Sequence, residues 1–136
     1  MKKGLLISAL VIGVILVSFR FIQISRQGKI NQAVVEYGHS KKFHQKEIQD
    51  AMDCVFKEFR SFEGCNLERL WYDEDISNAE YGVDNINGIV LLSDFYVDAS
   101  GGDNGFEPNS EQIGWKWLLV RDSKTSEWLL KSYGYA

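Results

Sequence analysis

Asp94 is the acidic residue best placed for proton chemistry. It interrupts the apolar run "INGIVLLSDFYVD" (residues 86–98), with Leu92 and Tyr96 as its same-side neighbours. The two histidines, His39 and His44, lie before or at the start of the first helix, far along the chain from that run. No G-x-S-x-G is present and no histidine stands beside a cysteine, so nucleophilic catalysis has no local support. Cys54 and Cys65 are a candidate disulfide, whose loop of about a dozen residues would stabilise by roughly 3 kcal/mol. The alternative is two buried thiols acting as small apolar side chains. Without a CxxC, zinc is not suggested. The loop "DASGGDNGFEPNSE" offers oxygen donors at Asp98, Ser100, Asp103, Asn104, Glu107 and Asn109, the ligand type calcium takes, but the EF-hand spacing is absent. Asp73, Glu74 and Asp75 are adjacent rather than convergent. No glycine loop precedes a helix to cradle phosphate. No metal or cofactor is expected.

These residues must be carried by a helix followed by strands. His44 occupies a cap position with Glu47 three residues on, and Phe43 and Ile48 stand at the places of a hydrophobic staple. Ile48, Ala51, Met52, Val55, Phe56 and Phe59 then follow helical spacing, and Phe62 and Gly64 end the run. Four strand candidates come after it: "CNLERLWYD", "INGIVLLSDFYVD", "EQIGWKWLLVRD" and "EWLLKSYGY". The stretch 73–85 reads as a loop with one helical turn at Ser77–Tyr81. One helix followed by a run of strands predicts an α+β domain with an antiparallel sheet.

The strands are apolar on both sides. One alternating set is Leu67, Trp71, Ile89, Leu91, Phe95, Trp117, Leu119, Trp128 and Leu130. The other is Leu70, Tyr72, Val90, Leu92, Tyr96, Leu118, Val120, Leu129, Tyr133 and Tyr135. One helix covers one face, and a single bulge swaps which set that is. The face left over is an apolar area that monomers seldom leave bare. Its cover is the 30–43 segment folding back, a second copy of the chain, or a ligand. Leu118, Val120, Tyr96 and Tyr133 are its candidate binding residues.

Residues 1–26 read as an N-terminal anchor. Two lysines precede sixteen uncharged residues, Gly4 to Phe19, and Arg20 can snorkel so that Phe21, Ile22 and Ile24 extend the span over residues 4–24. The layout fits a retained transmembrane signal-anchor better than a cleaved signal peptide, with the domain outside the cytoplasm. Residues 27–42 read as a linker and 43–136 as the domain.

Charge limits the partners. Residues 30–136 carry ten Lys/Arg against nineteen Asp/Glu, a balance of −9, and residues 63–111 hold twelve acids and one base, Arg69. Such a surface repels phosphate backbones, which excludes nucleic acid as a partner class.

The segments "EIQDAMDCVFKEFRSFEGCNLERLWYDED" and "VLLSDFYVDASGGDNGFEPNSEQIGWKWLLVRD", with the closing "W…GY", resemble an uncharacterised family of small exported bacterial proteins. The resemblance covers about Phe43 to Tyr135. It implies a cystatin-like or NTF2-like fold, one long amphipathic helix on a curved four-stranded antiparallel sheet, preceded here by the transmembrane helix. It implies no activity. The leading expectation is therefore a membrane-anchored, extracytoplasmic, non-enzymatic binding or accessory module, acting on an unknown protein partner or as a homodimer. One alternative is an NTF2-like pocket using Asp94, where such folds set an Asp facing a His. The other is an immunity-type partner of another exported protein.

Overall fold

Five apolar residues on one helical stripe, Ile48, Ala51, Met52, Val55 and Phe59, fold Gln45–Phe59 into helix α1 and are all buried. Phe56, expected on the same stripe, is half-buried at its margin. Glu47 fixes the start of the helix: its Oε2 accepts from His44 N at 2.7 Å. Its charge also suits the N-terminal end of the helix dipole, as Lys57 suits the other end. The computed structural model describes residues 8–18, 26–101 and 105–135.

The class is α+β, and the rest of the expected architecture is corrected. Among the described residues the sheet has five strands, not four, and is mixed and open rather than curved into a cystatin-like or NTF2-like wrap. Its order is β1 (Val34–Glu36), β2 (Cys65–Tyr72), β3 (Gly88–Val97), β4 (Ser110–Val120) and β5 (Leu129–Gly134). The last three pairings are antiparallel, whereas β1 runs parallel to β2, with Val34 opposite Arg69 and Glu36 opposite Trp71. A three-residue strand is too short to show alternation, so β1 leaves no periodic signature. The stretch leading into it is tied down as well. Gly28 N donates to Arg60 O at 3.1 Å, Lys29 N to Cys65 O at 2.9 Å, and Leu67 N to Lys29 O at 2.8 Å.

The anchor is corrected too. Residues 8–18 are helical, a length of about 16 Å at 1.5 Å per residue, roughly half a bilayer core. The remainder of the expected span falls on residues 1–7 and 19–25, outside the described residues. Among the described residues no helix is long and apolar enough to cross a membrane. This overturns the single-pass transmembrane reading and the cell-membrane localisation built on it.

The expected helical turn after β2 is a two-turn helix, α2 (Glu74–Tyr81). Asp73 caps it, its Oδ1 accepting from Ile76 N at 3.1 Å. The Glu74 carboxylate accepts from the Ser40 hydroxyl and from Lys41 N, which fastens the 40–43 turn to the helix. Desolvation pushes the Glu74 carboxyl up, but these donors outweigh it and hold it below the usual carboxylate range. Ser77, fully buried, accepts from Val90 N at 3.0 Å and so satisfies the edge of β3 where β2 has ended.

α1 covers one sheet face. Leu67, Leu70, Tyr72, Ile89, Leu91, Phe95, Val97, Trp117, Leu119 and Trp128 join it in a single apolar core. Each large side chain buried there stabilises by roughly 1.5–3 kcal/mol. α2 lies on the opposite face. The Tyr81 ring stands where a side chain on Gly88 would begin, 2.5 Å from it, and Gly88 alternates with Val90 and Leu92, which point away from α1.

Candidate interaction surface

Three bulges decide which residues share the face away from α1. In β2 an extra residue, Glu68, sits between Leu67 and Arg69, so Leu70 and Tyr72 turn into the core and Trp71 turns out. In β4, Ile113 and Gly114 together oppose Asp94, Gly114 taking a left-handed φ of 70°. In β5, Lys131 is the extra residue between Leu130 and Ser132. That last bulge returns Tyr133 to the α1 side. Its ring lies 5.2 Å from Phe62 and 5.3 Å from Trp117, so the expected binding set is divided: Leu118, Val120 and Tyr96 share the outer face and Tyr133 does not.

The outer face has an apolar centre bordered by α2. Val90 and Leu92 are buried but lie outside the α1-side core. Around them Trp71, Tyr96, Leu118 and Val120 are half-buried, and Leu129 is 60% exposed. Charge is unevenly spread across this face. Glu68, Asp94 and Glu111 gather where β2, β3 and β4 approach the β3–β4 loop, Glu111 opposite Tyr96. Lys116 lies opposite Leu92, farther along β4, and Lys131 stands in the β5 bulge. None of these five charges forms a salt bridge among the described residues. Desolvation, a hydrogen bond shared with Glu111 and the negative charge of Glu111 and Asp94 together push the Glu68 carboxyl above its ordinary range. Arg69 is spent on its neighbours: it pairs with Glu36 at 2.7 Å and lies over the Trp71 ring at 4.0 Å.

Asp94 is on this outer face, so α1 and Asp94 do not enclose a common pocket. Its Oδ1 accepts from Gly114 N at 2.9 Å, which satisfies the bulge's freed donor. A cleft of about 420 Å³ opens elsewhere, between the N-terminal half of α1 and the β4–β5 turn, with Glu47, Asp50, Cys54, Arg121 and Trp128 in its lining. The Arg121 guanidinium there donates to the Glu47 carboxylate and to the Ile86 and Lys124 carbonyls. Of the loop donors named for calcium, Asp98 accepts from the amide and hydroxyl of Ser100, and Asp103 and Asn104 lie outside the described residues. Among the described residues no group of three His, Cys, Asp or Glu side chains is placed to hold a metal ion.

The candidate disulfide is corrected. Cys54 and Cys65 are free thiols. Cys54 Sγ donates to Trp128 O at 3.3 Å and Cys65 Sγ to Glu63 O at 3.7 Å, so each satisfies itself locally. Desolvation, with the charge of Asp98 behind it, pushes the Cys65 thiol up to about 11. Desolvation and nearby carboxylates, Asp53 first, raise Cys54 as well. Both are neutral at physiological pH and poor nucleophiles. At pH 7.5 the native chain should react with iodoacetamide at Cys65 on the order of 100-fold more slowly than a free cysteine, and unfolding in urea should release both thiols. Fast labelling of Cys65 in the folded chain, read by mass spectrometry, would contradict this placement.

Comparison with protein-family models, curated proteins and solved structures found no match to this chain. Sequence reasoning missed the outer-face charges. Lys116 was visible as a cation interrupting an apolar strand, but Glu68 reaches this face only through a bulge that no residue type announces.

Proposed function

We propose that this chain is a non-enzymatic binding module whose contact surface is the outer face of the sheet. The observation that supports it most directly is the set of half-buried Trp71, Leu118 and Tyr96 around buried Leu92, framed by charges that form no salt bridge among the described residues. Apolar centres with polar rims are what protein contact surfaces present. The other expected chemistries find less support. Asp94 is committed to Gly114 N, and the cysteine thiols are held in their neutral form.

The test is capture of a protein by the purified, immobilised chain. Capture should be lost in Leu118→Gln and kept in Ile113→Gln, which changes a residue 61% exposed in the β4 bulge. Far-UV circular dichroism confirms that both variants fold. Capture that survives Leu118→Gln with the fold intact sinks the reading.

A further inference from the structure

From the charge layout of the outer face, and resting on its reading as a contact surface, we propose that its partner is a second copy of the same chain. The two sheets meet face to face about a two-fold axis, with Lys116 and Lys131 of each copy against Glu68 and Glu111 of the other.

A two-fold contact joins a patch to itself, so the patch must complement itself. A face of one sign cannot do this, because like charges would meet. This face carries both signs, set apart: carboxylates at the end by the β3–β4 loop, amines toward the middle of β4 and on β5. Reversing one copy over the other brings opposite signs together. A purely basic partner would leave Lys116 and Lys131 facing cations, and a purely acidic one would set carboxylates against Glu68 and Glu111. The second copy is the occupant that pairs both ends at once.

The apolar centre suits the same arrangement. Stacked sheets lie about 10 Å apart and interdigitate their inner side chains. Trp71, Leu118 and Val120, half-buried in the single chain, supply the residues for such a layer above buried Leu92. α2, whose Tyr81 covers Gly88, limits the contact at one end and leaves it open toward Tyr96 and Leu118. The chain as a whole is acidic, with a net charge of −4, so two copies repel at long range and only opposed local charges set their register.

Sedimentation equilibrium of the full chain tests this, with two charge-reversed variants. Lys116→Glu/Lys131→Glu replaces the amine end with carboxylates, and Glu68→Lys/Glu111→Lys replaces two of the three carboxylates at the other end with amines. The wild type should dimerise with a Kd of micromolar order. Each variant alone should dimerise at least ~100-fold more weakly, through like-charge contact. An equimolar mixture of the two should restore a dimer of mixed composition, with circular dichroism unchanged in every sample. A mixture that stays monomeric overturns the proposal, as does a wild-type dimer that either variant leaves intact. A wild type monomeric at about 100 µM overturns it as well. In that case, Leu118-dependent capture of a different protein would leave the binding-module reading standing, and loss of that capture too would remove both.

Discussion

Arg121→Met should lower the stability of the domain by about 3–5 kcal/mol, the loss typical of breaking one partner of a buried ion pair. The Arg121 side chain is 2% exposed and its partner Glu47 is 15% exposed. The guanidinium donates to Glu47 Oε1 at 2.9 Å, twice to Ile86 O at 2.8 and 3.0 Å, and to Lys124 O at 3.2 Å. It also lies over the Trp128 ring at 4.2 Å, and Trp128 Nε1 in turn donates to Glu47 O at 3.0 Å. One side chain therefore joins the start of α1, the loop before β3 and the β4–β5 turn. Methionine fills much of the volume but leaves the Glu47 carboxylate with the His44 amide and no guanidinium, and takes the guanidinium donors from the Ile86 and Lys124 carbonyls. Lysine should recover only part of the loss, because a single ammonium cannot reach the diverging acceptors as the planar fork does. Urea unfolding followed by tryptophan fluorescence measures both. A loss below ~1 kcal/mol would show that the Glu47 pair is not buried as described.

The same pair has a pH signature. Burial alone would raise the Glu47 carboxyl, but the His44 amide and the Arg121 guanidinium outweigh it and hold the group below its usual range. A carboxyl lowered in the folded state stabilises fully above its unfolded pKa, near 4.3, and loses that contribution as pH falls through its folded pKa. Wild-type stability should therefore decline below about pH 4.5, and Arg121→Met should show a flatter acid limb.

How far the sequence carried varies by element. α1 was legible because fifteen residues give its apolar period room to repeat, and five of the six residues that set the period are buried, Phe56 alone standing at the margin. The four long strands were legible from alternation. β1 was not, since three residues cannot alternate convincingly and its parallel partner lies more than thirty positions away. α2 was half legible: the apolar signal in Ile76 and Tyr81 is weak, and its stability comes from Asp73, Ser40 and the buried Ser77, contacts that spacing does not display.

The candidate surface was legible as a problem rather than as a place. Alternation alone shows apolar residues on both sides of the sheet, yet it puts Trp71 in one set with Leu91 and Trp117, and Leu70, Tyr72 and Tyr133 in the other set with Leu118. Bulges at Glu68 and Lys131 reverse those assignments. A bulge is a one-residue excess relative to a partner strand, so it belongs to a pair of strands and not to either sequence by itself. The charges follow the same rule. Glu68 and Glu111 are 43 positions apart in the chain and become neighbours only across β2, β3 and β4.

Phe59→Ala should cost about 3–5 kcal/mol, as truncations of fully buried aromatics do when the site cannot collapse. Phe59 is completely buried at the end of α1. Its ring meets Phe62 at 5.3 Å, Phe95 at 5.5 Å and Trp117 at 6.4 Å, so the helix, the turn after it and two strands converge on one side chain. Rigid rings on three sides close poorly over a void, which places the loss toward the upper end of that range. Phe56 is the internal control. It is the same residue type, three positions earlier on the same helix, and half-buried, so Phe56→Ala should lose only about 1–2 kcal/mol. Both are read from urea midpoints at equal slope, which compares stability without invoking a changed unfolded state. A rotation of α1 about its own axis by about 60° would put Phe56 in the direction Phe59 now faces and exchange the two results. Equal losses, or a larger loss at Phe56, would place a different stripe of the helix on the sheet, and with it would go the assignment of which sheet face is left for a partner.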